Sequence, residues 1–313
     1  MSQLLSLEAP ERARPVRLRT RRGVFAALDV PALGGAGGGT ALLVPGFMGS
    51  KEDFLPLLAG LSEGGVRVLA VDGRGQCETG DGGASEPSYG RGELAKDLVA
   101  VVEAIGAGAV HLVGHSYGGS LARAAVLDTE GDPELWASVT LMNFGPAGVS
   151  QGQQERLRLL LSVVDSMSLA DMWPFVRNDD VATPPDVADF LEKRWLSNTP
   201  GQLAAVAQQM LNETDDTGRL ARLSLPTCVI SGTPDETWAP EGVEKMAREL
   251  GAAFVRIEGG GHSPNVHRPD ETVSALLEFW LSCADADSCA DADSCAAADV
   301  RKLPACQPRS SSA

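Results

Sequence analysis

Along most of this chain, short apolar runs alternate with longer segments whose apolar residues recur every three or four positions. The runs TALLVPG (from Thr40), VRVLAVDG (from Val66), AVHLVGHS (from Ala109), SVTLMNFGP (from Ser138), PTCVISG (from Pro226) and AAFVRIEGG (from Ala252) are nearly continuous in apolar character. That is the pattern of strands buried on both faces. Between them, KEDFLPLLAGLSEGG, GELAKDLVAVVEAIG, GGSLARAAVLDTEG and EGVEKMARELG read as helices, and ETVSALLEFWL reads as a last helix ending near Leu281. Such alternation predicts a mainly parallel sheet covered by helices. GVFAALDV adds an early strand before a Gly-rich turn. Ahead of it, Val16 and Leu18 alternate with Arg17 and Arg19 as the exposed face of an edge strand would.

The alternation breaks between Gly148 and Leu223, where QERLRLLLSVVDSM, DVADFLEKRWLS and GQLAAVAQQMLNE are amphipathic and no strand is evident. This division predicts a core made of residues 1–147 and 224–281, with 148–223 inserted as a helical subdomain. Beyond Leu281 the hexapeptide SCADAD begins at Ser282 and again at Ser288, followed by SCAAAD at Ser294. Small and acidic, it cannot bury a core of its own, so residues 282–313 are expected to be a disordered tail.

Composition narrows the function classes. With 313 residues, 43% hydrophobic and 22% charged, the chain is an ordinary globular one. A net charge of -16 argues against nucleic-acid binding. The arginines at 12, 14, 17, 19, 21 and 22 run against that balance, and the edge-strand pattern accounts for them as a solvated face. No apolar run approaches the roughly 18–20 residues of a membrane span, and the first residues lack the apolar stretch of a secretory signal. Of six cysteines, Cys77 and Cys228 lie far apart and four fall in the last tenth of the chain. The cysteines form neither a disulfide framework nor a recognisable zinc pattern, so a cytoplasmic protein with reduced thiols and no metal or other cofactor is expected.

The candidate chemistry centres on Val113-Gly114-His115-Ser116-Tyr117-Gly118-Gly119, a Gly-x-Ser-x-Gly turn between the strand AVHLVG and the helix SLARAAVL. A serine hydroxyl needs a base within hydrogen-bond reach, a group that orients the base, and donors for the oxyanion it generates. Asp235 ends the strand PTCVISG in Gly232-Thr233-Pro234-Asp235, and His262 follows AAFVRIE in Gly260-Gly261-His262-Ser263-Pro264. Glu236 is a rival for Asp235, which the Gly-x-x-Asp spacing favours. The chain has three other histidines. His111 and His115 lie on one strand roughly 13 Å apart, too far to share a metal. His267 starts the last helix.

On these residues the chain resembles the α/β-hydrolase superfamily from about Arg17 to Leu281. More closely, it resembles the serine-nucleophile group with a helical cap inserted after the sixth core strand. The resemblance implies a mostly parallel eight-stranded sheet flanked by helices, and the chain order serine, acid, histidine. It implies Ser116 as nucleophile, His262 as base and Asp235 as its orienting acid. The Tyr117 and Phe47 backbone N–H groups would form the oxyanion hole. The chain departs from the commoner family pattern in carrying Pro45 where a histidine is usual. The turn Asp72-x-Arg74-Gly75 matches a family motif that is usually structural. The resemblance implies cleavage of a carboxylic ester or similar small acyl substrate through an acyl-enzyme. A C–C hydrolase, peptidase, thioesterase, acyltransferase or perhydrolase would use the same residues. A ligand receptor without turnover is the reading from another class. Dehalogenases and epoxide hydrolases of this fold use aspartate at the position of Ser116. Met48, Trp173, Trp195 and Trp238, with Met172, are expected to line an apolar pocket between cap and sheet.

Overall fold

A computed structural model describes residues 4–34, 36–83, 88–177 and 183–290. Eight strands make one sheet: β1 (Arg14–Thr20), β2 (Gly23–Val30), β3 (Thr40–Val44), β4 (Arg67–Val71), β5 (Val110–His115), β6 (Trp136–Met142), β7 (Thr227–Thr233) and β8 (Ala253–Glu258), in the order β1-β2-β4-β3-β5-β6-β7-β8. The β1–β2 and β2–β4 pairs are antiparallel and all others parallel. Side chains along the central strands alternate between two cores, as the pleat requires. Leu42 and Val44 of β3 and Leu69 and Val71 of β4 face one core, while Ala41, Leu43, Val68 and Ala70 face the other.

The helices of the sheet layers are α1 (Leu55–Glu63), α2 (Arg91–Ile105) and α3 (Tyr117–Asp128), with α9 (Pro240–Leu250), α10 (Pro264–His267) and α11 (Pro269–Ala290) after the insertion. One face is covered by α2, α3 and α9, the other by α1 and α11. The chain leaves β3 for β4 on one side and leaves β5 for β6 on the other. Strand direction of travel therefore reverses between β3 and β5, and a crevice opens at their C-terminal ends. The Gly-x-Ser-x-Gly turn and the loop Pro45–Ser50 meet in that crevice.

Among the described residues the elements between β6 and β7 are all helices: α4 (Gln151–Val163), α5 (Leu169–Val176), α6 (Pro185–Leu196), α7 (Pro200–Leu211) and α8 (Thr217–Leu220). Leu203, Val206 and Met210 of α7 join the core against α2 and α3. Two buried carboxylates fasten this insertion to the sheet layers. Arg194 of α6 meets Asp53 at 2.6 Å, both side chains fully inaccessible to solvent. Glu213, just past α7, accepts from Arg123 of α3, from Ser120 Oγ at 2.8 Å and from Arg91 at 2.9 Å.

The exposed edge expected for the N-terminal arginines is β1, whose residues alternate between exposed and half-buried. Arg17, Arg21 and Arg22 pair with Glu78, Glu103 and Asp97 of the chain itself. The tail expectation needs correction at its start. The last helix does not end near Leu281 but continues to Ala290. Alanine has the highest helix propensity, and Cys283, one turn beyond Phe279, is buried in the same core. Residues 291–313, with the repeat at Ser294, lie outside the described residues.

Replacing one member of a buried ion pair leaves the other charged and without its partner, which outweighs any gain in apolar packing. Arg194→Met is expected to cost about 3–5 kcal/mol in urea unfolding, and adding Asp53→Leu should restore part of that loss.

Candidate active site

Ser116 sits between β5 and α3 with φ 55° and ψ -124°. An L-residue at positive φ costs about 1–2 kcal/mol, and the turn around it leaves no room for side chains. A Cβ on Gly114 would lie 2.3 Å from the Gly118 carbonyl oxygen, and one on Gly118 would lie 2.3 Å from that of Val44. Two backbone bonds hold the strained residue: Ser116 N–H donates to Met142 O (2.9 Å), and Ser116 O accepts from Gly119 N–H (2.8 Å). The strain lifts the hydroxyl off the strand end toward the β3 loop, where a Cβ on Gly46 would touch Ser116 Cβ at 2.9 Å.

The three side chains expected together are together. His262 Nε2 lies 3.0 Å from Ser116 Oγ, and His262 Nδ1 lies 3.0 and 3.1 Å from the two Asp235 oxygens. Burial pulls the Asp235 carboxyl upward, but bonds from His262, Asn143 and the Thr237 N–H outweigh it and hold the group below the ordinary aspartate value. It therefore stays ionised beside the imidazole, so Nδ1 carries the proton and Nε2 is left to accept. Glu236, the rival, is exposed.

Two residues that the sequence pattern did not single out brace this group. Asn143 follows β6 with φ 44°. Its Nδ2 donates to Gly232 O, Asp235 Oδ2 and Gly261 O, and its Oδ1 accepts from Gly232 N–H. One side chain thus ties the acid loop to the histidine loop. The available signal was a single amide side chain at the end of an otherwise apolar strand. His115, one residue before the serine, is buried with Nε2 2.8 Å from the His262 carbonyl oxygen. A carbonyl only accepts, so His115 is the neutral Nε2–H tautomer. Burial, with His262 nearby, pushes its pKa down to about 4. His111 is likewise lowered to about 4 by burial, 2.8 Å from Ser138 Oγ and stacked on Trp280.

Phe47 and Tyr117 flank the serine from the two loops of the crevice. Among the described residues neither backbone N–H has a backbone acceptor. Tyr117 opens α3, where unpaired amides and the helix dipole present partial positive charge. Its phenol is occupied elsewhere, donating to Gln209 at 2.6 Å.

The pocket residues divide. Phe47, Met48, Met172, Trp173 and Trp195 line an open cleft of about 960 Å³ between the β3 loop and helices α4, α5 and α6. Trp238 does not line it, a correction to the expected pocket. Instead it fills the space left by Gly145, stacks on His262 with ring centres 6.0 Å apart, and donates to Ala147 O at 3.0 Å. In the turn after β4, Asp72 binds Lys51 and Arg74 binds Asp97. Among the described residues, Glu52, Asp72 and Cys77 bring three metal-type donors together. Lys51 Nζ lies 2.8 Å from Glu52 and 3.0 Å from Asp72, and already supplies the positive charge there.

The pattern of the alpha/beta hydrolase family matches residues 41–275. Proline iminopeptidase of Lactobacillus delbrueckii subsp. bulgaricus is 28% identical over 273 residues, covering 78% of this chain and 90% of that protein. RutD of Variovorax paradoxus, provisionally named a carbamate hydrolase, is 37% identical over 111 residues, 35% of this chain and 40% of that protein. The structure of a thermophilic esterase from Thermogutta terrifontis superposes with a TM-score of 0.67 at 26% identity, covering 87% of this chain and 99% of the esterase.

Both buried histidines have folded pKa values near 4, below the ordinary 6.5. The unfolded chain therefore binds more protons between these values, and stability that is complete above pH 6.5 drains away as pH falls toward 4. The urea midpoint should drop across that window, and less steeply in His111→Gln. An unchanged slope in that variant would remove His111 from the account.

Proposed function

Since the chain belongs to the alpha/beta hydrolase family, we propose that it is a serine hydrolase that cleaves carboxylic esters with an apolar acyl group through an acyl-enzyme. The observation that carries this reading is the line from Ser116 Oγ through His262 to Asp235, at 3.0 Å on each side of the imidazole. In this mechanism Ser116 Oγ attacks the ester carbonyl carbon as His262 Nε2 takes its proton. Asp235 stabilises the imidazolium and holds its orientation. The carbonyl oxygen, now an oxyanion, accepts from the Phe47 and Tyr117 N–H groups. Collapse breaks the ester C–O bond, and His262 returns the proton to the leaving alkoxide oxygen. Water, deprotonated by His262, then attacks the acyl carbon and frees the acid and Ser116. The helices of residues 148–223 act in this scheme as the cap that bounds the substrate.

The cleft supports an apolar acyl group. It meets the site at Phe47 and Met48, neither Ser116 nor His262 lines it, and Leu157, Leu160, Met172 and Trp195 give it apolar lining beside polar residues such as Arg156 and Glu192. A chain attached to the reacting carbon has room there while the carbonyl stays at the serine. A second reading, aminopeptidase activity, draws on the likeness to proline iminopeptidase. Binding a substrate ammonium group calls for a desolvated carboxylate. Among the described residues the carboxylates on the cleft are Asp189 and Glu192, both exposed, where an ion pair contributes little. This favours the ester.

A fluorophosphonate probe should label Ser116, and Asp235→Asn should lower kcat by about 10⁴ by disturbing the imidazole tautomer. Labelling at another residue, or none, would refute the proposal. Across nitrophenyl esters from acetate to decanoate, each buried methylene contributes about 0.8 kcal/mol, so kcat/KM should climb about fourfold per step until the cleft is filled. Faster cleavage of a prolyl nitroanilide than of any ester would instead favour the peptidase reading.

A further inference from the structure

Gln76 stands in the turn after β4, outside the three-residue relay, yet its side chain reaches the loop that carries Phe47. Gln76 Nε2 donates to Gly46 O at 2.9 Å, and its Oε1 accepts from Gly73 N–H at 3.0 Å. The second bond settles which end of the amide faces which neighbour, because only the oxygen can accept from Gly73. The side chain is nearly fully buried, and a Cβ on Gly73 would lie only 2.6 Å from Gln76 Oε1. The amide therefore has little freedom to turn. Gly49 N–H donates to the same Gly46 oxygen at 3.1 Å.

Gly46 C=O and Phe47 N–H belong to one peptide unit. In a trans peptide the two point in opposite directions, and the unit turns only as a rigid plate. Two donors hold the oxygen, so the N–H of the same plate is held pointing the opposite way, which on the serine-hydrolase reading is toward the oxyanion. Were the plate to turn over, a carbonyl oxygen would face the developing oxyanion, replacing an attraction with a repulsion. We infer that Gln76 is a positioning residue, which sets the oxyanion donor Phe47 by anchoring the carbonyl of the same peptide. The inference rests on the serine-hydrolase reading. It also gives the turn after β4 a part in catalysis beyond holding the fold. The same turn touches the insertion, since Gly75 O accepts from Thr199 N–H at 3.0 Å. Gln76 thus sits between the helical insertion and the oxyanion loop.

The test compares the unaltered chain with Gln76→Leu, which loses both bonds, and Gln76→Glu, which keeps the acceptor for Gly73 but loses the donor to Gly46. Misaiming one oxyanion donor should lower kcat for nitrophenyl butyrate about 10- to 100-fold, with KM changed less than about threefold. Affinity for butylboronic acid, which forms a tetrahedral adduct on a serine oxygen, should fall by the same factor as kcat. A purely structural contribution would lower melting temperature and degrade KM and kcat together, and that result in both variants overturns the inference. So does an unaltered kcat in Gln76→Glu while fluorophosphonate still labels Ser116 in the unaltered chain. Failure to label Ser116 in the unaltered chain would bring down the serine-hydrolase reading itself, and the assignment of Gln76 with it.

Discussion

The tight turn from β5 into α3 is the constraint on which the rest of the site depends. Ser116 is held at positive φ inside a bend so close that the flanking glycines touch neighbouring backbone. The strain of roughly 1–3 kcal/mol persists because β5 is buried between β3 and β6, and α3 is packed against the sheet. Relaxing the serine would require one of those elements to move. Rigid packing on either side is thus converted into a fixed hydroxyl position at the crevice where strand direction of travel reverses.

Around that fixed point, the loops of the site are tied by polar side chains at strand ends and in the turn after β4. Asn143 links the acid and histidine loops, His115 holds the carbonyl of His262, and Gln76 holds the carbonyl of Gly46. Each of these bonds is modest by itself, about 1 kcal/mol net. Their value lies in direction, because each leaves its loop a single orientation toward Ser116. Leaving one of these buried groups without its partner would cost more than the bond contributes, so the braces resist piecemeal loss.

The helical insertion is joined to the same network by charge. Asp53 pairs with Arg194 of α6, while its backbone carbonyl accepts from Asn265, three residues beyond His262. Its carboxylate also accepts from Ser50 N–H at 3.3 Å, at the end of the β3 loop. One buried aspartate therefore contacts the insertion, the loop after β3 and the segment after the histidine. Buried ion pairs add little net stability over apolar packing, but their directional geometry fixes how the insertion meets the sheet layers.

The amino-acid sequence by itself determined the succession of strands and helices along the chain and placed Ser116, Asp235 and His262 at the ends of strands. These features are written in local periodicity and in residues placed at strand ends, where neighbours along the chain set the geometry. Tertiary structure alone decided the braces. Asn143 meets Asp235 across 92 residues, His115 meets the His262 carbonyl across 147, and Arg194 meets Asp53 across 141. No spacing rule connects such partners, because strand order rather than sequence distance brings them together. Trp238 illustrates the same limit. Its place just after Asp235 suggested a pocket wall, but the space opened by Gly145 draws it behind His262. The last helix passes Leu281 for a similar reason. The Ser-Cys-Ala-Asp composition pointed to a solvated tail, but Cys283 packs into the core beneath it, and with alanine's high helix propensity the helix runs on to Ala290.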